Sequence, residues 1–388
     1  MAAEESTTLL EKIKLKCHEN CKCAGLEFAV NLADLTAEPI GDGNLNDVIR
    51  VISPTCKGPN SAIAKRGPPY IKCLGPEYPL NVNRTKLEYS AITRYNSIVP
   101  GCVSKPLCWV GDCNMFFVED LKDFEVLRKL LINGVDCEKA ILKLAKDIGI
   151  IHNETHYTKV PRNEFREMAE EFRNEDMVSL TKQFVFTAPF VKGEPTNRCA
   201  DNVIPVLSQI YDDATVLNAA DKMKQMFLER KESLLHGDLH TGSIMAATDG
   251  SDAKMIDLEF AYVGPCAFDV GMFLANLIFT YYQHMSTPQN NDVHRQYSYS
   301  IVDLCKSFVD VYLQHMTCIG DHESFVSEVA GFCGCEIVRR IVGAAHVEDL
   351  KTSEYVEQDA LGSGIRLLRA MHRIHTIDRL MVIALMLA

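Results

Sequence analysis

The 388-residue chain has a single tryptophan, Trp109, and shows no internal repeat, no low-complexity tract and no long apolar run. Its longest apolar stretch, Leu380 to Ala388, is about half of what a bilayer-spanning helix needs. Basic residues are in deficit: 40 Lys and Arg against 52 Asp and Glu leave a net charge of −12. That balance argues against a general nucleic-acid binder, which replaces counterions with a basic face, but it leaves room for a local basic pocket. With 47% hydrophobic and 24% charged residues, the chain has enough apolar surface to offset its ordering entropy, which excludes disorder as the main state. Met1 to Thr8 are polar and include Glu4 and Glu5, the reverse of a secretory leader. A soluble, reducing compartment is therefore expected, with Asn83-Arg84-Thr85 and Asn153-Glu154-Thr155 as chance matches to the glycosylation sequon.

Cysteine is plentiful, at 15 residues. An odd number cannot pair completely within one chain, and disulfide scaffolds are shorter and denser. Cys17, Cys21 and Cys23 form a C-x3-C-x-C cluster. A zinc site would need a fourth ligand, and His18 beside Cys17 is a poor one. Free thiols are expected there and at Cys333 and Cys335.

Length suggests two domains or lobes. Residues 6–20 read as a helix with Ser6, Thr7 or Thr8 as N-caps. A turn-rich loop from Glu38 to Asn44 precedes a β-branched run at Val48, Arg50 and Ile52. A second turn region leads into the short strand Ser61 to Lys65, giving a hairpin with Lys65 near its end. Residues 84–96 place Leu87, Ala91 and Ile92 on one helical stripe. Leu107–Gly111 and Met115–Val118 read as strands joined by a turn. Beyond Glu119-Asp120-Leu121 the pattern becomes helical, over 124–133, 136–152, 164–174, 214–232, 268–285, 296–316, 322–346 and 354–373, with a surface loop at 191–201. The expectation is an α+β chain with a β-rich part at 1–121 and a mainly helical part at 122–388.

The most informative stretch is His236-Gly237-Asp238-Leu239-His240-Thr241-Gly242-Ser243-Ile244. A hairpin follows, whose second strand, Ala253 to Ile256, ends in Asp257-Leu258-Glu259. The hairpin folds the chain back, so Asp238 and Asp257 can meet at one end. Two or three carboxylates beside a polar loop make a hard oxygen site that suits Mg²⁺ with phosphates. Singly these residues say little, since an Asp after Gly is usually a turn residue. Their order is specific: it matches a kinase catalytic-loop Asp followed by a metal-binding Asp.

With Phe260 to Gly271 (F-A-x-x-G-P-x-x-F-D-x-G), Gly334-Cys335-Glu336-Ile337-Val338-Arg339-Arg340 and Gly343-Ala344-Ala345-His346-Val347, the chain resembles the methylthioribose kinases. These lie within the superfamily that also holds choline kinases and aminoglycoside phosphotransferases. The resemblance implies a two-lobed protein-kinase-like fold, with an ATP-binding lobe over 1–121, a hinge at 119–121 and a catalytic lobe over 122–388. It implies ATP and Mg²⁺ as cofactors and phosphorylation of the 1-hydroxyl of 5-methylthioribose, a step of methionine salvage. It also implies a homodimer, while the acidic balance, the short apolar runs and the polar first residues lead to the expectation of a cytoplasmic protein without nucleic-acid or membrane partners.

The resemblance carries roles to particular residues. Gly43 and Asn44 fall in a loop whose N–H groups can cradle phosphates. Lys65 falls where the strand lysine holds ATP, with Lys72 as a rival, and Glu88 on the next helix is its possible partner. The backbone of Glu119, Asp120 and Leu121 is expected at the adenine edge. Asp238 is the catalytic residue, which would orient the sugar hydroxyl. Asp257, Leu258 and Glu259 form the metal and nucleotide segment, with Leu258 where the family commonly has Pro. Ser243 stands where protein kinases place a metal-binding Asn. Asp269 resembles the aspartate that braces the catalytic loop. Arg339 and Arg340 lie in an apolar helix and need polar or anionic partners, which the transferred phosphate, the sugar hydroxyls or a structural acid would supply. Helix neighbours point about 100° apart, so both need not face one ligand. His240 and His346 can line the sugar pocket.

Two other readings stand beside this one. A kinase for another small alcohol (choline, homoserine or an aminoglycoside) is disfavoured by the Arg-Arg segment and the Thr241–Ile244 loop. A choline pocket also needs aromatic or acidic walls, and the chain has one Trp. An inactive kinase-like binding protein would usually have lost one of Lys65, Asp238, Asp257 or Glu259, and all four are present.

Overall fold

The structure is a computed structural model that describes residues 2–40, 45–72, 75–287, 291–351 and 355–387. Gly43 and Asn44 lie outside the described residues. The chain forms two compact units, one of Met1–Lys122 with Ile256–Glu259 and the other of Asp123–Met255 with Phe260–Ala388.

The first unit opens with α1 (Ala2–Glu19). Its strands are β1 (Thr36–Pro39), β2 (Asp47–Ile52), β3 (Ser61–Arg66), the short pair β4 (Tyr70–Ile71) and β5 (Gly75–Pro79), then β6 (Pro106–Val110) and β7 (Met115–Glu119). Helix α2 (Asn83–Ile98) lies between β5 and β6 in sequence. Five strands form one antiparallel sheet in the order β1-β2-β3-β7-β6. Strand side chains alternate between faces. Ile49, Val51, Ala62 and Ala64 therefore share the face that packs on Ile13, Cys17, Leu26 and Phe28. Ile63 and Lys65 fall on the opposite parity, the face that α2 covers through its packing on β6 and β7. Every described cysteine is a free thiol. Several line this core, where burial pushes the Cys17 thiol up to about 12 and the Cys23 and Cys108 sulfurs lie 3.0 Å apart.

The second unit begins with β8 (Phe124–Val126), α3 (Leu127–Ile132), α4 (Glu138–Thr155), α5 (Arg162–Glu171), α6 (Glu175–Phe186), α7 (Ser208–Tyr211) and α8 (Ala214–Glu229). The strands β9 (Ser233–Leu235), β10 (Ile244–Ala247), β11 (Ala253–Met255) and β12 (Tyr262–Gly264) flank the loop His236–Ser243. Five helices complete it: α9 (Cys266–Met285), α10 (Asn291–His315), α11 (His322–Val342), α12 (Val356–Ala370) and α13 (Ile377–Leu385). Helix α9 is buried along nearly its whole length and packs against α10, α11 and α12. Phe186, Phe227, Phe268 and Phe332 form an aromatic cluster beside it, with centroids 5.0–6.0 Å apart.

The short elements β1, β4, β5, β9, β12 and α7 are not anticipated by the sequence reading, and three other stretches differ for physical reasons. Residues 124–126 form a strand rather than the start of a helix, because the hairpin β10–β11 accepts β8 as a third strand, with Val126 opposite Met245. Helix α6 gives no clear sequence signal, because its β-branched and polar residues mask the apolar stripe of Met177, Val185 and Phe186. Helix α11 stops at Val342, where the Gly343 N–H closes on the Arg339 carbonyl.

Phe332 is 1% exposed. Truncation by Phe332→Ala should destabilise the protein by about 3–5 kcal/mol, read as a lower urea midpoint. A loss below about 1 kcal/mol would mean that the cluster collapses around the gap.

Candidate active site

In the first unit, strand parity turns Lys65 toward α2. Its ammonium lies 2.6 Å from Glu88 Oε1 on that helix and 2.6 Å from Asp257 Oδ1. Lys65 is 7% and Glu88 1% exposed. Burial alone would lower the lysine pKa, but Asp257, Glu88 and Glu259 reverse this and hold the ammonium above its ordinary value. Burial raises the Glu88 carboxyl, against the pull of Lys65. The rival Lys72 is more exposed and sits 3.2 Å from Asp47.

Asp257 adopts a left-handed backbone, φ 61°. Non-glycine residues rarely do so, and Asp is among those that tolerate it. The turn places one carboxylate oxygen on Lys65 while the side chain stays 45% exposed. Glu259 is more buried. Its Oε2 accepts from Asn46 Nδ2 at 2.8 Å and lies 3.8 Å from Arg84 Nε. Arg84 also donates to Leu45 O at 3.1 Å and Asn46 Oδ1 at 3.2 Å. Burial raises the Glu259 carboxyl, with Lys65 opposing. Leu258 is fully buried and offers no polar side-chain group.

Among the described residues, Glu88, Asp257 and Glu259 gather around Lys65, with Arg84 beside Glu259. Among the described residues no three His, Cys, Asp or Glu side chains form a cage for a metal. Mg²⁺ does not need one, since it is commonly held by one or two carboxylates with substrate phosphates and water. Asp257 and Glu259 are hard donors of that kind and fit it. At the expected hinge, the Asp120 carboxylate takes Arg50 at 2.9 and 3.2 Å and Ser61 at 2.7 Å, which is a structural use. The Glu119 N–H donates to Lys105 O and the Asp120 carbonyl accepts from Lys122.

In the second unit, β9 delivers the chain to His236 and Gly237, and Asp269 in the first turn of α9 receives it. The His236 N–H donates to Asp269 Oδ2 at 2.7 Å and the Gly237 N–H to Oδ1 at 3.0 Å. His152 Nε2 lies 3.3 Å from Oδ2 and is oriented by Tyr312. An acid at a helix N-terminus is favourable to the dipole, and here it also braces the loop. Gly237 is required, because its φ is +81° and a Cβ would lie 2.1 Å from the Phe260 carbonyl oxygen.

Braced this way, Asp238 meets three partners: His240 Nε2 at 3.2 Å, Arg339 at 3.4 Å and Arg340 at 3.9 Å. Burial pushes its carboxyl up, but His240, Arg339 and Arg340 more than reverse that and hold it well below the usual range. The Gly242 N–H donates to His240 Nδ1 at 2.9 Å. That leaves the proton on Nε2, facing Asp238. Burial lowers the His240 pKa, with Asp238 opposing. Ser243 is buried, with Oγ 3.4 Å from His240 Nε2. Both arginines also bond Glu336, a fully buried acid one turn earlier on α11. Arg128 lies beside them in charge terms, 3.0 Å from the buried Asp349 and 2.9 Å from Asn276 Oδ1. His346 is exposed.

The structure therefore brings Lys65, Glu88, Asp257 and Glu259 into one set and Asp238, His240, Arg339 and Arg340 into another. Sequence reasoning missed Asn46, Arg84, His152, Arg128 and Glu336 as members. A signal existed for Glu336, which stands three and four positions before the arginines. None existed for Arg84, whose partners come together only in the fold.

Residues 151–297 match the phosphotransferase enzyme family. A methylthioribose kinase of Geobacillus sp. (strain WCH70) is 34% identical over 340 residues, covering 84% of this chain and 82% of that protein. The methylthioribose kinase of Yersinia enterocolitica serotype O:8 is 30% identical over 380 residues, 91% and 93% of the two chains. Among solved structures, a choline kinase from Cryptosporidium parvum superposes with a TM-score of 0.53 at 14% identity, covering 94% of this chain and 95% of that one. At that identity the likeness speaks for the fold, and it bears out the α+β kinase-like expectation.

Two outcomes test this geometry. Asp269→Ala strips two buried N–H groups of their acceptor and should cost about 1–3 kcal/mol for each, read by urea denaturation. Asp238 gives a pH test. A carboxyl held low in the fold adds stability that is complete above its unfolded value, about 4, and is lost as pH falls through the folded value. Below about pH 4 the wild type should therefore lose stability faster than Asp238→Asn, by up to about 1.4 kcal/mol per pH unit. Parallel acid limbs would show that Asp238 is not held low.

Proposed function

Because the chain belongs to the methylthioribose kinase family, we propose that it transfers the γ-phosphoryl group of ATP to the 1-hydroxyl of 5-methylthioribose. The products are 5-methylthioribose 1-phosphate and ADP. The observation that carries this reading is Asp238, held on a braced loop against two buried arginines, in a chain whose relatives of matching length are methylthioribose kinases.

In this reading the Lys65 ammonium, kept charged and aimed by Glu88, positions the ATP phosphates. Asp257 and Glu259 are the residues that would hold Mg²⁺, which when bound neutralises charge on the phosphate oxygens. Residues 1–121 act as the nucleotide-binding part and 122–388 as the catalytic part. Gly43, Asn44 and the 119–121 backbone are the nucleotide contacts inherited from the resemblance. The buried place of Ser243 beside His240 favours loop packing over a metal contact.

Asp238 accepts a hydrogen bond from the acceptor hydroxyl and orients it for in-line attack. Phosphoryl transfer needs little early proton removal. A strongly anionic carboxylate is therefore suited to orienting the nucleophile even though it is a weak base. His240 fixes one carboxylate oxygen, and Arg339 and Arg340 offset charge on the transferred phosphoryl group or donate hydrogen bonds to the sugar oxygens. A place in methionine salvage, a cytoplasmic location and a homodimer belong to the same proposal. No described helix is long and apolar enough to cross a membrane.

ADP release with Mg²⁺-ATP and 5-methylthioribose, ribose or choline tests the reading. Turnover should occur with methylthioribose and fall on the order of 10³-fold in Asp238→Asn. Turnover with ribose or choline instead would keep the residue roles and replace the substrate.

A further inference from the structure

Arg339 and Arg340 are neighbours on α11, and neighbours on a helix point about 100° apart. Nothing in that geometry makes them face one group. Yet both approach the same oxygen, Asp238 Oδ1, at 3.4 and 3.9 Å. The residue that reconciles them is Glu336. It precedes one arginine by three positions and the other by four, the two spacings at which helical side chains meet. Helical side chains lean back toward the N-terminus, so both arginines lean over it.

We propose that Glu336 is a positioning residue: a single buried carboxylate that grips both guanidiniums at Nε and aims their outer NH₂ edges at Asp238. Its Oε2 accepts from Arg339 Nε at 2.5 Å and its Oε1 from Arg340 Nε at 2.8 Å. One oxygen serves each arginine, so neither grip competes with the other. Glu336 is fully buried and both arginines are less than a tenth exposed, so water cannot easily replace these bonds. Burial opposes its charge, but the two arginines hold its carboxyl below the ordinary range. The grip therefore stays ionic. Charge also balances: Asp238 and Glu336 offset the two guanidiniums, which would otherwise repel each other across one helical step. Glu336 touches neither reacting group and acts through the arginines. The inference rests on the reading that the acceptor hydroxyl is oriented at Asp238.

Glu336→Gln keeps the side-chain shape but offers one acceptor oxygen instead of two. Nitrogen-15 spectra of the arginine side chains should show two exchange-protected Nε–H signals in the wild type that depend on Glu336, and at least one should be lost in the variant. Its kcat with the acceptor alcohol should fall on the order of 10²-fold, while KM for ATP stays within about twofold. In an Arg339→Lys/Arg340→Lys background, which has no Nε to grip, the same change should cost less than about threefold more. An equal cost in both backgrounds overturns the proposal, and so does wild-type turnover in Glu336→Gln. If Glu336→Gln does not fold, Glu336→Asp replaces it: its shorter reach should release one Nε–H signal, and retention of both overturns the proposal. If the wild type uses a different alcohol, the functional reading fails and the cycle is run with that alcohol. If no alcohol is turned over, the Nε–H signals still decide whether Glu336 grips both arginines.

Discussion

Lys65 has lost nearly all of its water, and a lysine in that state keeps its charge only when carboxylates replace the hydration. Glu88 and Asp257 do so from two separate stretches of chain, each at 2.6 Å. The same constraint governs the second unit, where Glu336 and Asp238 surround Arg339 and Arg340. Removing one partner from such a pair typically costs about 3–5 kcal/mol, because a charge is left buried and unmatched. The charged residues of both sets are thus held by the cost of separating them.

Orientation in the second unit comes from a different source. Asp269 spends its carboxylate on two backbone N–H groups and a buried histidine, at the end of a helix whose dipole favours an acid there. The loop it braces has no conformational freedom at Gly237, where the Phe260 carbonyl fills the space of a side chain. His240 then selects one oxygen of Asp238 and the arginines the other. Asp238 is thus a carboxylate fixed on both oxygens, with its charge held firmly.

Much of this was legible from the residues. The apolar run ending at Lys65 announced a strand, and strand parity follows from its first residues. The order H-G-D, hairpin, D-x-E announced the loop and the acidic segment Asp257–Glu259, since each part is local. Asp269 was legible through its place in F-D-x-G. The strand at 124–126 was not, because three residues carry no periodicity and need the β10 edge to form. Glu336 was readable as helical spacing, but its role depends on Asp238, about 100 positions away in sequence. Arg84 gave no signal, since a polar residue in the first turn of a helix is ordinary until Leu45, Asn46 and Glu259 surround it.

The sequence by itself determined the family, the α+β order of elements, the identity of the loop aspartate and the types of charged residue that the two sets draw on. These depend on short-range order, which periodicity and spacing record. Only the tertiary structure decided which acid meets which base: Lys65 with Glu88 and Asp257, Glu259 with Asn46 and Arg84, Glu336 with both arginines, Asp269 with the loop. Buried charges are matched across long sequence separations, and the energy that selects each pair exists only once water has been excluded around it.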